Sequence, residues 1–227
     1  AISPTHKEKD ALTETIRSKL KDKGQLIGPE MLFGTQRDLS LTEARKKDAV
    51  NYDEGSVVQF HQHQKGGFKA GGRYEVLPKG KDGSVRVRSL ETGKAMKLPL
   101  DMPQNFKVLQ PTQTHLAQGD QIRITSNGRT MEQTSINNGQ VYEVKGFNPQ
   151  GHIQLSNGKT LEKDFANFQH GYVTTSYASQ GKDAKDIYVL QSSISYPASN
   201  EKQFYVSASR GTERIAIYTD SKDDLRQ

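Results

Sequence analysis

Two short stretches of this chain carry side chains suited to phosphate chemistry. Residues 170–181 read H-G-Y-V-T-T-S-Y-A-S-Q-G, an apolar run that stops at a polar corner of small hydroxyl residues, Thr175, Ser176 and Ser179, followed by Gln180 and Gly181. Hydroxyls and backbone N–H groups at a strand end are donors to phosphate oxygens, and glycine lets the backbone approach a ligand closely. Residues 204–211 read F-Y-V-S-A-S-R-G and present Arg210. A guanidinium offers a fixed fork of donors that matches a phosphoryl group.

The elements that would hold these residues are legible from pattern. Apolar runs at Gly171–Thr175, Ile187–Leu190 and Ile215–Thr219 predict strands, with a helix before Arg210. Strand, polar turn, strand, helix, strand predicts an α/β sheet that binds ligands at its strand ends. At the other end of the chain, Thr5 with Glu8 three residues later forms a capping box. Leu12, Ile16 and Leu20 then give one apolar stripe, and Gly24 is placed to end the helix. The segment 41–50 reads as helical within a linker, 36–51.

Residues 51–170 contain an internal repeat at an offset of roughly 64 to 68 positions. Y-D-E-G-S-V-V-Q-F at 52–60 answers to A-Q-G-D-Q-I-R-I at 117–124, and G-G-R-Y-E-V-L at 71–77 to N-G-Q-V-Y-E-V at 138–144. Alternating apolar and polar residues broken by glycine turns mark short strands in hairpins. The expectation is two tandem barrels resembling Src-homology-3 domains, at 52–110 and 112–169, with Pro111 and Thr112 between them.

Composition narrows the classes. The 227 residues include 32 Lys or Arg against 26 Asp or Glu, and the excess is concentrated: residues 51–110 hold ten cationic against six anionic residues. That module is the expected nucleic-acid surface, with Lys65, Lys69 and Arg73 set among Tyr52, Phe60, Phe68 and Tyr74. Barrel-core packing competes with base stacking for those rings. The hydrophobic fraction is 32% and the mean hydropathy −0.81, which suits small modules with thin cores. With no cysteine, disulfides and thiolate zinc sites are excluded, and the composition fits a reducing cytoplasm. No run approaches the roughly 18 apolar residues of a membrane span, so no membrane insertion is expected. Ala1 falls inside a strand end, so the chain is expected to be a piece of a longer one. His61 and His63 share a strand face without a third clustered ligand, which disfavours metal. Ser156 to Thr160 ends like a phosphate loop, but the pattern G-x-x-x-x-G-K-S/T needs glycine where Ile153 stands, and a hairpin turn is expected there.

T-T-S-Y-A-S-Q-G at 174–181 resembles motif V of superfamily 1 DNA helicases, usually T-x-H-K-S-Q-G, and Y-V-S-A-S-R-G at 205–211 resembles their motif VI, Y-V-A-x-S/T-R-A. The segment S-P-T-H at 3–6 with L-T-E-T-I-R-S-K-L at 12–20 resembles the A-P-T-H…L-N-x-x-I-R-x-x-L segment of RecD-like helicases and of conjugative relaxase–helicases, the MobF class. Residues 41–60, then Q-G-D-Q-I-R-I-T-S-N-G and N-N-G-Q-V-Y-E-V, look like the insertion found there between these motor segments.

The resemblance implies one discontinuous RecA-like motor lobe, 1–35 plus 170–227, interrupted by the two-barrel insertion. It implies that Thr175, Ser176 and Ser179 hold single-stranded DNA, that Gln180 and Gly181 couple that grip to nucleotide state, and that Arg210 is the arginine finger on the γ-phosphate. Arg17 takes the family's arginine position, where it would reach the nucleotide cleft or stand on the helix surface. ATP and Mg2+ would be bound mainly by the first motor lobe, which this sequence lacks, so the chain alone is expected to hydrolyse no ATP. The conjugative secretion machinery is a further implied partner. Two departures stand out: the family's His-Lys is Tyr177-Ala178 here, and Arg-Ala-Arg/Lys is Arg210-Gly211-Thr212. Two other readings stay open, a non-catalytic nucleic-acid or protein-binding module with vestigial motor motifs and a RecD-like repair helicase.

Overall fold

The computed structural model describes residues 1–80, 83–179, 181, 183–193 and 201–223. The chain divides into two compact units. One comprises residues 1–31, 116–163 and 170–227, and the other residues 32–115 and 164–169.

The first unit is discontinuous because its central sheet is built from both ends of the chain. The strand order is Thr174–Thr175, Ile2–Ser3, Ala184–Leu190, Gly211–Tyr218, all parallel. Ile2 lies opposite Thr174 on one side and Val189 on the other. Ile2, Ile187 and Val189 form its small buried core. Helix His6–Asp22 follows the first strand, and helix Glu201–Ala208 joins the last two. Parallel neighbours need such crossovers.

The first helix begins as its capping box predicts, with Thr5 Oγ1 accepting from the Glu8 N–H at 3.2 Å. It ends at Lys23, and Gly24 takes the left-handed φ of +66°. Its buried face differs from the sequence expectation. Lys9, Thr13 and Arg17 are buried, whereas Leu12, Ile16 and Leu20 are only half-buried. Leu12 and Ile16 instead line an apolar cavity of about 550 Å³ with Tyr172, Tyr188, Leu190 and Tyr218. The physical reason is a buried ion pair on the helix face one position further round, described below.

The same unit holds four further paired strands in the order Thr160–Leu161, Ile153–Leu155, Val141–Phe147, Gln121–Ile124. Their buried residues include Ile122, Ile124, Val144, Ile153, Leu155 and Leu161. Residues 156–160 form the hairpin turn expected there, with Gly158 at φ +75°.

The second unit carries most of a six-stranded sheet ordered Ile27–Asp38, Phe106–Gln118, Val57–Phe60, Arg73–Val76, Arg86–Ser89, Ala95–Lys97. Side chains alternate along each strand. The inward set, with Val58, Phe60, Tyr74, Val76, Val87, Phe106 and Val108, joins Tyr52 and Phe68 in one core. Phe60 is the hub, with ring centroids 4.6 Å from Phe68, 5.6 Å from Tyr74 and 5.3 Å from Phe106.

Neither of these two sheets closes into a barrel among the described residues. In the six-stranded sheet the end strands Ile27–Asp38 and Ala95–Lys97 remain edges, and Pro111 and Thr112 sit within the continuous strand Phe106–Gln118. The expected helical linker is a single turn, Glu43–Lys46, capped by Thr42.

Candidate functional site

At the C-terminal ends of the parallel strands, small hydroxyls and one carboxylate knit the sheet to the first helix. Glu8, in the first helical turn, accepts from Ser3 Oγ at 2.7 Å through one oxygen and from the Ser192 N–H at 3.1 Å through the other. A carboxylate in this turn also complements the positive end of the helix dipole. The Ser176 N–H donates to the Ser3 carbonyl at 3.2 Å, which brings the polar corner after Thr174–Thr175 against the same strand end.

The hydroxyls of that corner shape the loop. Thr175 Oγ1 accepts from the Ala178 N–H at 3.3 Å, and Ser179 Oγ donates to the Ser176 carbonyl at 2.7 Å. Ser207 Oγ donates to Ser176 Oγ at 2.8 Å, and both residues are 2% exposed. Thr175 and Ser179 are also buried. In this conformation the three hydroxyls singled out by the sequence are engaged internally. Gly181 has φ +73° with open space around its Cα, while Gln180 lies outside the described residues.

The Ser176–Ser207 contact joins the two candidate motifs, because Ser207 sits three residues before Arg210 in the helix Glu201–Ala208 and its following turn. Arg210 stands where this helix gives way to strand Gly211–Tyr218, and its carbonyl accepts from the Ala184 N–H at 2.9 Å. Its guanidinium donates to the Val206 carbonyl at 3.1 Å, to Ser209 Oγ at 3.0 Å and to Asp183 at 3.2 Å. The Asp183 side chain is 61% exposed, so this pair is weak and open to exchange for another anion.

Arg17 does not stand on the helix surface. It is 2% exposed and grips Asp120, itself fully buried, through Nε at 3.0 Å and Nη2 at 2.9 Å. Nη2 also meets Glu30, which Lys21 pairs from outside at 2.8 Å. Burial opposes the charge on Arg17, but the hydrogen bonds and charges of Asp120 and then Glu30 outweigh it and hold the guanidinium pKa above its ordinary value. Asp120 is saturated: it also accepts from the Ala117 N–H at 2.7 Å and the Tyr172 hydroxyl at 2.9 Å. Burial, then Asp120, raises the Tyr172 pKa. The turn that delivers Asp120 depends on Gly119, at φ +95°, where an added Cβ would collide with the Gln25 carbonyl oxygen. Arg17 therefore anchors the first helix to the turn at Gly119–Asp120. Asp120 is the residue that sequence reasoning missed.

In the second unit the predicted cations separate. Lys65 is exposed in the turn 64–68, and Lys69 pairs with Glu91 at 3.3 Å. Arg73 lies half-buried on its strand, and burial lowers its pKa. The interleaved rings Tyr52, Phe60, Phe68 and Tyr74 are all core, so they are withheld from base stacking. The described residues hold no cluster of three or more His, Asp or Glu able to bind a metal, and no described helix is long and apolar enough to cross a membrane.

No family model and no curated protein matches this chain. Among solved structures it is similar to the Pif1 helicase from Bacteroides in complex with ADP-AlF3 and single-stranded DNA. The identity is 15% and the TM-score 0.25, over 97% of this chain and 40% of that one. It is also similar to the Pif1 helicase from Candida albicans, at 10% identity and TM-score 0.30, over 99% of this chain and 46% of that one. The chain thus spans less than half the length of these helicases.

Proposed function

We propose that this chain is part of the second motor lobe of an ATP-dependent DNA helicase, with the conjugative relaxase–helicases as the favoured parent class. The buried Ser176–Ser207 hydroxyl pair carries the reading. It packs the loop that resembles motif V on the helix that presents Arg210, as a device coupling DNA grip to nucleotide state requires. The sheet that unites residues 2–3 with 174–175, 184–190 and 211–218 supports it, because one lobe interrupted by an insertion must close in this way.

In this reading the loop 174–181 contacts single-stranded DNA through its backbone N–H groups, with Thr175, Ser176 and Ser179 holding its shape. Arg210 leaves Asp183 for the γ-phosphate when a first lobe delivers ATP and Mg2+. Arg17 positions the helix instead of meeting nucleotide. Lys65, Lys69 and Arg73 belong to a DNA-facing module, and proteins of the secretion machinery are further candidate partners. ATP supplies the energy of translocation. The residues present here fit only the finger side of its site, since the chain carries no phosphate-loop motif.

The test is Arg210→Ala in the longer chain that contains a first lobe. Expected is a loss of ATP turnover of about 10³-fold or more with single-stranded DNA affinity retained. Parallel loss of both would assign Arg210 a structural role, and ATP turnover by the present 227 residues alone would overturn the division of labour. A second reading, a non-catalytic binding module, is favoured by the internal engagement of Thr175, Ser176, Ser179 and Arg210. Unchanged ATPase in Arg210→Ala would select it.

A further inference from the structure

The face of the six-stranded sheet opposite the Phe60 core carries an array of cations, of which the reading above uses Arg73 alone. Register places them on one face. Lys107 and Arg73 lie opposite Gln59 on either side, Arg88 lies opposite Glu75 and Ala95, and Arg86 lies opposite Lys97. Facing residues and i, i+2 neighbours share a face. Five cations therefore share this face with Glu75: Arg86, Arg88 and Lys97 stand at its exposed end, while Arg73 and Lys107 are half-buried beside the buried Val57 and Leu109, with Asp38 near Lys107. Arg86, Arg88 and Lys97 are exposed, and none of them forms an ion pair among the described residues. Arg86 and Lys97 are like charges placed directly opposite one another, an arrangement that destabilises a sheet unless an anion neutralises it. Burial lowers the pKa of Lys107, with Asp38 opposing and Arg73 adding to the effect, so cations crowd this end of the face too.

We infer that this face is a binding surface for the phosphate backbone of duplex DNA. Four strand spacings separate the strand of Lys107 from that of Lys97, about 19 Å in all, which matches five to six base pairs of duplex at about 3.4 Å each. The choice of duplex follows from what the face lacks. Phe60, Phe68, Tyr74 and Phe106 all point into the core, so no aromatic platform on these strands favours unpaired bases. Cations without rings bind backbone, independent of sequence. The inference rests on the second unit alone and stands whether or not Arg210 acts on a nucleotide.

The test is fluorescence anisotropy of the whole chain with a 20-base-pair duplex and a 20-nucleotide single strand, of about those lengths to exceed the footprint. Arg86→Gln/Arg88→Gln/Lys97→Gln is expected to weaken duplex binding at least about tenfold and to flatten its log–log salt slope by about 2 to 3. Lys7→Gln/Lys19→Gln/Lys23→Gln removes the same charge from the first helix and is expected to change duplex affinity less than about twofold. Equal losses in the two variants would reduce the effect to bulk charge and overturn the proposal, as would an unaffected duplex affinity in the first. A single strand preferred over duplex by tenfold or more, through the same three residues, would overturn the choice of ligand. Amide shifts at 86–97 in the unsubstituted chain on adding duplex provide a reading that needs no variant, and their absence counts against the proposal.

Discussion

Asp120 ties the first helix to the turn at Gly119–Asp120. A fully buried carboxylate is costly unless its charge and lone pairs are met, and here Arg17, Tyr172 and the Ala117 N–H meet them. His170 borders the same cluster, its Nδ1 3.8 Å from Asp120. Burial lowers its pKa to about 4, with Asp120 and Glu30 acting to raise it and Arg17 and Lys9 to lower it. The folded state therefore binds this proton less readily than the unfolded chain, whose histidine titrates near 6.5. The stabilising contribution is complete above that pH and is lost as pH falls from about 6.5 toward 4. Between pH 7 and pH 5 the loss amounts to about 2 kcal/mol. Urea unfolding of the chain and of His170→Phe over this range checks it: the variant should lose about 2 kcal/mol less, and parallel curves would assign the acid sensitivity elsewhere. Arg17 was visible in the sequence as a helix arginine. Its partner was not, because 103 residues separate the two and neither carries a local signal of the other.

At the scale of elements, local pattern did well where the cause is local. The helix starts at Thr5 and stops before Gly24 because capping and the left-handed glycine are short-range effects. The apolar stripe was misassigned because helical periodicity gives a face but not what that face meets. The Arg17–Asp120 pair turns the helix so that Leu12 and Ile16 line a cavity instead of the core. Glu8 reaches past the cap box to Ser3 and Ser192, tying two strand ends to one helical turn. Glu8→Ala should therefore cost more than a cap, about 2 to 3 kcal/mol against about 1. Thermal unfolding compares it with Thr5→Ala, and equal losses would mean that the strand-end bonds contribute nothing. The repeated hairpins in 51–170 were legible from alternation and glycine turns. Their closure into barrels was expected from strand count, but an edge strand needs a partner, and pairing across an edge has no local pattern.

At the scale of the molecule, the first unit is held by contacts between the chain's two ends. The Ala1 amino group donates to the Tyr172 carbonyl across 171 positions, beside the pairing of Ile2 with Thr174 and Val189. Closing a flexible loop of that length costs roughly 4 to 5 kcal/mol in chain entropy, which two-residue strands alone do not repay. Removing residues 1–24 is expected to leave the strand Ala184–Leu190 with only Gly211–Tyr218 beside it and to weaken amide protection at 187–190 in hydrogen exchange. The core of the second unit, around Phe60, should keep its protection. Intact protection at 187–190 would mean that the sheet holds without its central short strand.

The sequence by itself determined the secondary structure of the hairpins and the first helix, the placing of phosphate-suited residues at 174–181 and 210, and the concentration of cations in 51–110. Those follow from periodicity, capping and composition, which act over a few residues. Only the tertiary structure decided which of these residues meet. It sent the hydroxyls of Thr175, Ser176 and Ser179 inward, locked Arg17 to Asp120, and sorted Arg73, Arg86, Arg88, Lys97 and Lys107 onto one sheet face while drawing Lys69 to Glu91. Register and long-range pairing fix such meetings. A shift of one residue in any strand would exchange the cationic face for the core, so no local reading of the chain could have assigned them.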